Sequence, residues 1–156
     1  MDNTASRTAA SVKTDYPRQI NKALARISPW WIYGLGLIPA VWYFYLGAVN
    51  DLGANPIQSF EHLLGEWALR FLIATLLVTP IRDLTRINLF RFRRALGLLT
   101  FFYVLFHFLT YFILDRGMNL PVIYVDVFKR PYIIVGMLAF LSLIALAATS
   151  SNRAIR

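Results

Sequence analysis

The run from Ala95 to Leu114, ALGLLTFFYVLFHFLTYFIL, holds about twenty residues without a charge, enough to cross a bilayer as a helix. Its polar atoms belong to Thr100, Tyr103, His107, Thr110 and Tyr111. Counted from His107 these fall at −7, −4, 0, +3 and +4, which is one face of an α-helix. The rest of the run is Leu, Phe, Val, Ile, Ala or Gly. An imidazole in hydrocarbon is costly and turns toward protein, water or a cofactor. The segment therefore has a lipid side and a site side, and the site side centres on a potential metal ligand.

The remaining composition agrees with a membrane chain. The 156 residues are 58% hydrophobic and 15% aromatic, richer in apolar side chains than an ordinary soluble domain. The net charge of +8 raises nucleic acid as a partner, but the basic residues lie between apolar runs, so nucleic-acid binding is not expected. There is no cysteine, which excludes disulfides, covalent c-type haem, cysteine-ligated iron–sulfur clusters and a thiolate haem ligand. With two histidines in the chain, transition-metal chemistry must use His62, His107 or a cofactor that brings its own ligands.

Four spanning segments are expected, giving an all-α polytopic membrane helix bundle. They run roughly from Trp30 to Ala48, Leu63 to Ile81, Ala95 to Leu114 and Tyr132 to Thr149. The N-terminal tail, the loop between segments two and three and the C-terminal tail carry the arginines and lysines. The loop between segments one and two has none. The loop between three and four sets Arg116, Lys129 and Arg130 against Asp115 and Asp126. Loop charge alternates, which puts both termini in the cytoplasm.

The polar stretch before Trp30 is too long for the n-region of a cleavable signal peptide, and the apolar run after it is of full spanning length. Residues 1–17 read as a disordered tail, and 152–156 as a second cytoplasmic tail. Within 18–29, Ile20, Ala23, Leu24 and Ile27 make an apolar row and Arg18, Lys22 and Arg26 a basic one. This predicts an amphipathic helix on the anionic membrane surface, broken at Pro29. In segment four, Gly136, Ala139, Ser142 and Ala145 recur every three residues, a pattern that lets another helix approach closely.

His107 lies about 18 Å along the helix from Ala95, in the outer half of the membrane. It reads either as an axial haem ligand, as a proton-relay group, or as a buried histidine bonded to a carbonyl or tyrosine. His62 sits at the outer mouth of segment two and shares a face with Glu66 and Arg70. Arg70 is about 12 Å deeper than His62 and is expected at the level of His107. It either meets an anionic cofactor group, such as a haem propionate, or simply pairs with Glu66. A depth difference of about 10 Å makes His62 and His107 poor candidates for one iron. The Arg91-Phe-Arg-Arg94 cluster reads as a lipid-headgroup contact or as a site for a phosphate-bearing ligand such as a flavin nucleotide.

The stretches GEWALRFLIATLLVTPIRDL, RFRRALGLLTFFYVLFHFLTYFILD and KRPYIIVGMLAFLSLIALAATS, in this order, resemble the haem-binding membrane subunits of the periplasmic protein-methionine-sulfoxide reductase system, the MsrQ (earlier YedZ) family. These belong with the ferric-reductase-like transmembrane domains. The resemblance covers about Trp31 to Ser151, and makes 30–151 a partial domain of that type. It rests on the R-x-R-R-x-L-G-L run into the histidine-bearing helix, the T-P after segment two and the R-P-Y opening segment four. It implies a bacterial inner-membrane electron carrier. Such a carrier takes electrons from quinone or a cytoplasmic flavin reductase. It passes them through haem b to a periplasmic molybdopterin-containing subunit that reduces methionine sulfoxide in proteins. FMN is implied as a further cofactor. By motif position His107 is the haem and metal ligand, and His62 matches a histidine that the family carries before its second helix. Arg70, Tyr103 and Tyr111 complete the expected cofactor-binding set. The family pattern continues past the T-S after segment four with two further helices and more histidines, so the chain reads as C-terminally truncated. Two other readings stay open: a non-redox membrane scaffold anchoring a partner, and half of a small transporter with Glu66, Arg70 and His107 on a proton path.

Overall fold

A computed structural model describes residues 16–149. All regular structure among them is helical. Helix α1 covers residues 16–26. It is followed by α2 (Trp30–Ala48), α3 (Pro56–Thr85), α4 (Phe90–Leu109), α5 (Leu120–Lys129) and α6 (Pro131–Thr149). Helix α4 runs on without a break into one π-helical turn, Thr110–Asp115. Four helices are long and apolar enough to span a membrane: α2, α3, α4 with its π turn, and α6. Of the expected tails at 1–17 and 152–156, residues 1–15 and 152–156 lie outside the described residues, while residues 16 and 17 are not tail but the first residues of α1.

Prolines and caps set the limits of these helices. Pro29 separates α1 from α2, and Pro56 opens α3 at its first turn, where a missing N–H costs nothing. Helix α3 ends on Arg86 in the left-handed conformation (φ 59°), whose N–H reaches back to the Arg82 carbonyl. Inside the spans, Thr75, Thr100 and Ser142 give their hydroxyl protons to the carbonyls of Phe71, Leu96 and Leu138. Each is a bond to the preceding turn that removes an unpaired donor from an apolar setting.

Helix α5 was expected to be loop. Its signal is local: the Asn119 side chain accepts from the Val122 N–H and caps the helix, and Pro121 sits in the first turn. Helix α3 is also longer than the apolar run within it, at 30 residues.

The core lies where α3 crosses α4. Leu64 and Ala68 of α3 meet Leu99 and Tyr103 of α4, with Tyr33 and Ala40 of α2 against them. Tyr103 is fully buried. Its hydroxyl donates to the Gly36 carbonyl (2.6 Å) and accepts from the Ala40 N–H (3.1 Å). Gly36 is the close point of α2 on α4, since a Cβ there would overlap Leu99 Cδ1. Helix α6 joins through aromatic stacking, Phe140 lying against Phe101 and Phe108 with centroids 6.4 and 5.1 Å apart. The stripe at Gly136, Ala139, Ser142 and Ala145 is exposed, and space is open around Gly136. Among the described residues α6 makes its contact through the phenyl ring, and the small-residue face is left uncovered.

Candidate functional site

His107 projects from the last α-helical turn of α4 onto α3. Its Nδ1 lies 2.8 Å from the Glu61 carbonyl oxygen. A carbonyl only accepts, so Nδ1 carries the proton, and the lone pair of the neutral ring sits on Nε2. Nε2 is 4.0 Å from Glu61 Oε1, beyond hydrogen-bond reach, and the side chain is 37% exposed. The ring approaches because position 65 is glycine: a Cβ there would stand 3.2 Å from Nδ1 and 3.3 Å from Cε1. One nitrogen is thus anchored on the backbone and the other is open. The arrangement matches metal-binding histidines, whose second N–H is commonly held by a carbonyl. Among the described residues no group of three His, Cys, Asp or Glu converges to hold a metal ion. The open Nε2 would suit a metal that brings its other ligands, as haem iron does.

The structure corrects the expected depths. His107 is level with Glu61 and Gly65, so His62 stands at the same level and Arg70 lies about 8 Å beyond Gly65 along α3. The antiparallel register causes this. Leu64 and Ala68 pack on Tyr103 and Leu99, a register that apolar runs alone do not fix. The depth argument against a shared iron therefore falls. His62 is turned about 100° around α3 from Glu61 and is exposed. Arg70 pairs with the Glu66 carboxylate and lies over the Trp67 ring at 4.8 Å. Glu66 and Arg70 are about half exposed, and they extend the His62 face along α3.

The polar stripe of α4 does face protein, but it divides among three helices. Tyr103 goes to α2 and His107 to α3. Tyr111, on the π turn, donates to Asp126 Oδ2 of α5 at 3.1 Å. Asp126 also receives Arg116 (2.7 Å) and Arg130 (3.3 Å), and Arg116 reaches Asp115 at 3.0 Å. Arg130 is held above its ordinary range by its bond to the Tyr132 hydroxyl and then by Asp126. An apolar cavity of about 490 Å³ opens between α2, α3 and the C-terminal part of α4 with its π turn. Phe44, Phe60, Phe106 and Thr110 help to line it, and His107 does not.

A family model described as "Ferric reductase like transmembrane component" matches residues 64–156. The chain belongs to this family. This ferric reductase like chain is a multi-pass membrane protein. It is 61% identical over 127 residues to the protein-methionine-sulfoxide reductase heme-binding subunit MsrQ of Brucella ovis, covering 81% of this chain and 58% of the relative. The same-named protein of Brucella abortus matches equally, and that of Brucella melitensis is 60% identical over the same length. The chain thus spans a little over half the length of the curated relatives it matches. No solved structure matches it.

The ferric reductase like match takes in Gly65, Arg70, Tyr103, His107 and Tyr111, while Glu61 and His62 lie just before it. Sequence reasoning missed Glu61 and Gly65 as the cradle of His107, and Asp126 as the hub below Tyr111. A signal for the first existed in Gly65 and Ala68, small residues three apart on α3 where another helix approaches.

Proposed function

We propose that this chain is the membrane electron-transfer part of a haem b carrier of the bacterial inner membrane, in which His107 would be a ligand to the haem iron. Its electrons come from quinone or a cytoplasmic flavin reductase. They go to a periplasmic molybdopterin-containing subunit that reduces methionine sulfoxide in proteins. The observation that carries the reading is the divided imidazole: Nδ1 held by the Glu61 carbonyl, Nε2 open and partly exposed. The names of the Brucella relatives support haem and the sulfoxide reductase partner.

Bound haem supplies a one-electron couple. The chain's own residues position it. The Glu61 carbonyl fixes the tautomer and plane of His107, which keeps Nε2 a ligand rather than a donor. Gly65 lets the ring lie close to α3. Arg70, with Glu66 offsetting its cost in the membrane, stands on the same open face of α3 as His62, about two turns further along, where an anionic edge of the group would be met. Tyr111, tied to Asp126, holds the start of the π turn four residues beyond the ligand. Tyr103 acts at one remove, by fixing α4 on α2. FMN would require phosphate-binding cations, and the Arg91–Arg94 cluster is the place for them. The charge pattern of the loops puts that cluster in the cytoplasm and the His107 end outside.

The test is optical. The full chain expressed with ample haem should show a Soret band that His107→Ala abolishes. A colourless wild-type protein would oppose the proposal and favour the non-redox scaffold.

A further inference from the structure

We propose that the bundle end formed by α1 and the α3–α4 loop binds anionic phospholipid headgroups. Helix α1 is fastened to that loop. Asn21 donates to the Arg86 carbonyl (3.1 Å) and accepts from the Asn88 N–H (2.7 Å), while Arg91 donates to the Ala25 carbonyl (2.7 Å). Asn21 and Ala25 are one turn apart, so they define the docked face. Lys22 and Arg26 follow each by one residue and stand about 100° around the helix, with Arg18 in the same row. All three are exposed. On the opposite flank Ile20 and Ile27 are 38% and 43% exposed. The helix therefore offers one apolar flank and one cationic flank while its middle face is held.

The loop adds to the charge. Residues 16–29 and 81–94 together contain eight Arg or Lys and one acid, Asp83, which pairs with Arg82 at 3.3 Å. Trp30 and Trp31, which open α2, are 79% and 68% exposed. Tryptophans at the start of a spanning helix mark the headgroup level, and they put the cationic row there too. A soluble anionic partner would need neither the exposed isoleucines nor the tryptophans. A lipid uses the charges, the apolar flank and the aromatic level together.

The test reconstitutes the full chain in phosphatidylcholine nanodiscs with trace spin-labelled phosphatidylglycerol or spin-labelled phosphatidylcholine. The motionally restricted fraction is read by EPR. Phosphatidylglycerol should associate several-fold more strongly. Each basic side chain near an anionic surface is worth up to about fivefold, so the triple change Arg18→Gln, Lys22→Gln, Arg26→Gln should cut the preference severalfold, the loop arginines keeping the remainder. The charge-retaining pair Arg18→Lys, Arg26→Lys should keep the preference. Asn21→Ala, which removes two of the three bonds fastening α1 without altering charge, should weaken it. Circular dichroism checks helicity, and Lys22→Glu alone carries the test if the triple variant does not fold. Equal association of the two lipids in wild type overturns the proposal, as does a preference undiminished by the triple neutralisation. Complete loss of restricted label on adding inorganic phosphate would assign the surface to free phosphate instead, and would also overturn it.

Discussion

The hydroxyl of Tyr103 bridges the carbonyl of Gly36 and the N–H of Ala40, two groups that an α-helix joins directly to each other. A side chain of α4 is thus written into the backbone ladder of α2, next to Pro39, where the ladder already lacks a donor. Tyr103→Phe keeps the ring and removes both bonds. Interhelical hydrogen bonds in membranes are worth about 0.6–1.7 kcal/mol, so the variant should lose stability in that range. Unfolding from mixed micelles by denaturing detergent measures it.

Gly36→Ala tests the same contact from the other side. The new methyl would overlap Leu99 Cδ1, and overpacking of this kind costs about 1–3 kcal/mol. Leu99→Ala in the same chain should recover part of the loss. A double-mutant cycle in the same unfolding assay should show non-additivity, whereas simple addition would mean that the two helices do not touch there.

Gly65→Ala places a methyl at 3.2 Å from His107 Nδ1. The ring must yield by a few tenths of an ångström, lengthening its bond to the Glu61 carbonyl. The expected outcome is a shifted haem optical spectrum and midpoint potential with helicity unchanged. A spectrum identical to wild type would place the ligand nitrogen elsewhere.

Asp126→Asn removes the charge that Arg116 and Arg130 share and weakens the acceptor of Tyr111. Asp126 is largely covered, with 13% of its side chain exposed. The change should loosen α5 and the π turn, read as faster amide hydrogen exchange over Leu120–Lys129. Tyr111→Phe should give a smaller effect of the same sign, because it removes one bond and no charge.

The four spans and the inward turn of His107 were legible in the sequence because both follow from short-range periodicity. An uncharged run of spanning length and one polar stripe need no knowledge of neighbours. The depth of His107 relative to His62 was not legible. It depends on the slide of α4 along α3, which Leu64, Ala68, Leu99 and Tyr103 fix together. The division of the stripe among α2, α3 and α5 was hidden for the same reason, since residues on one face of α4 spread to different neighbours. Helix α5 escaped because ten residues with charges at Asp126 and Lys129 look like loop until the Asn119 cap is weighed.

Imidazole rescue in the His107→Gly variant tests the central claim most directly. The purified full chain should carry haem b, measured as pyridine haemochrome. His107→Gly should carry little, and free imidazole added with haem should restore the Soret band by filling the space beside Gly65. Undiminished haem in His107→Gly without imidazole would contradict the account, because the iron would then be held by some other group.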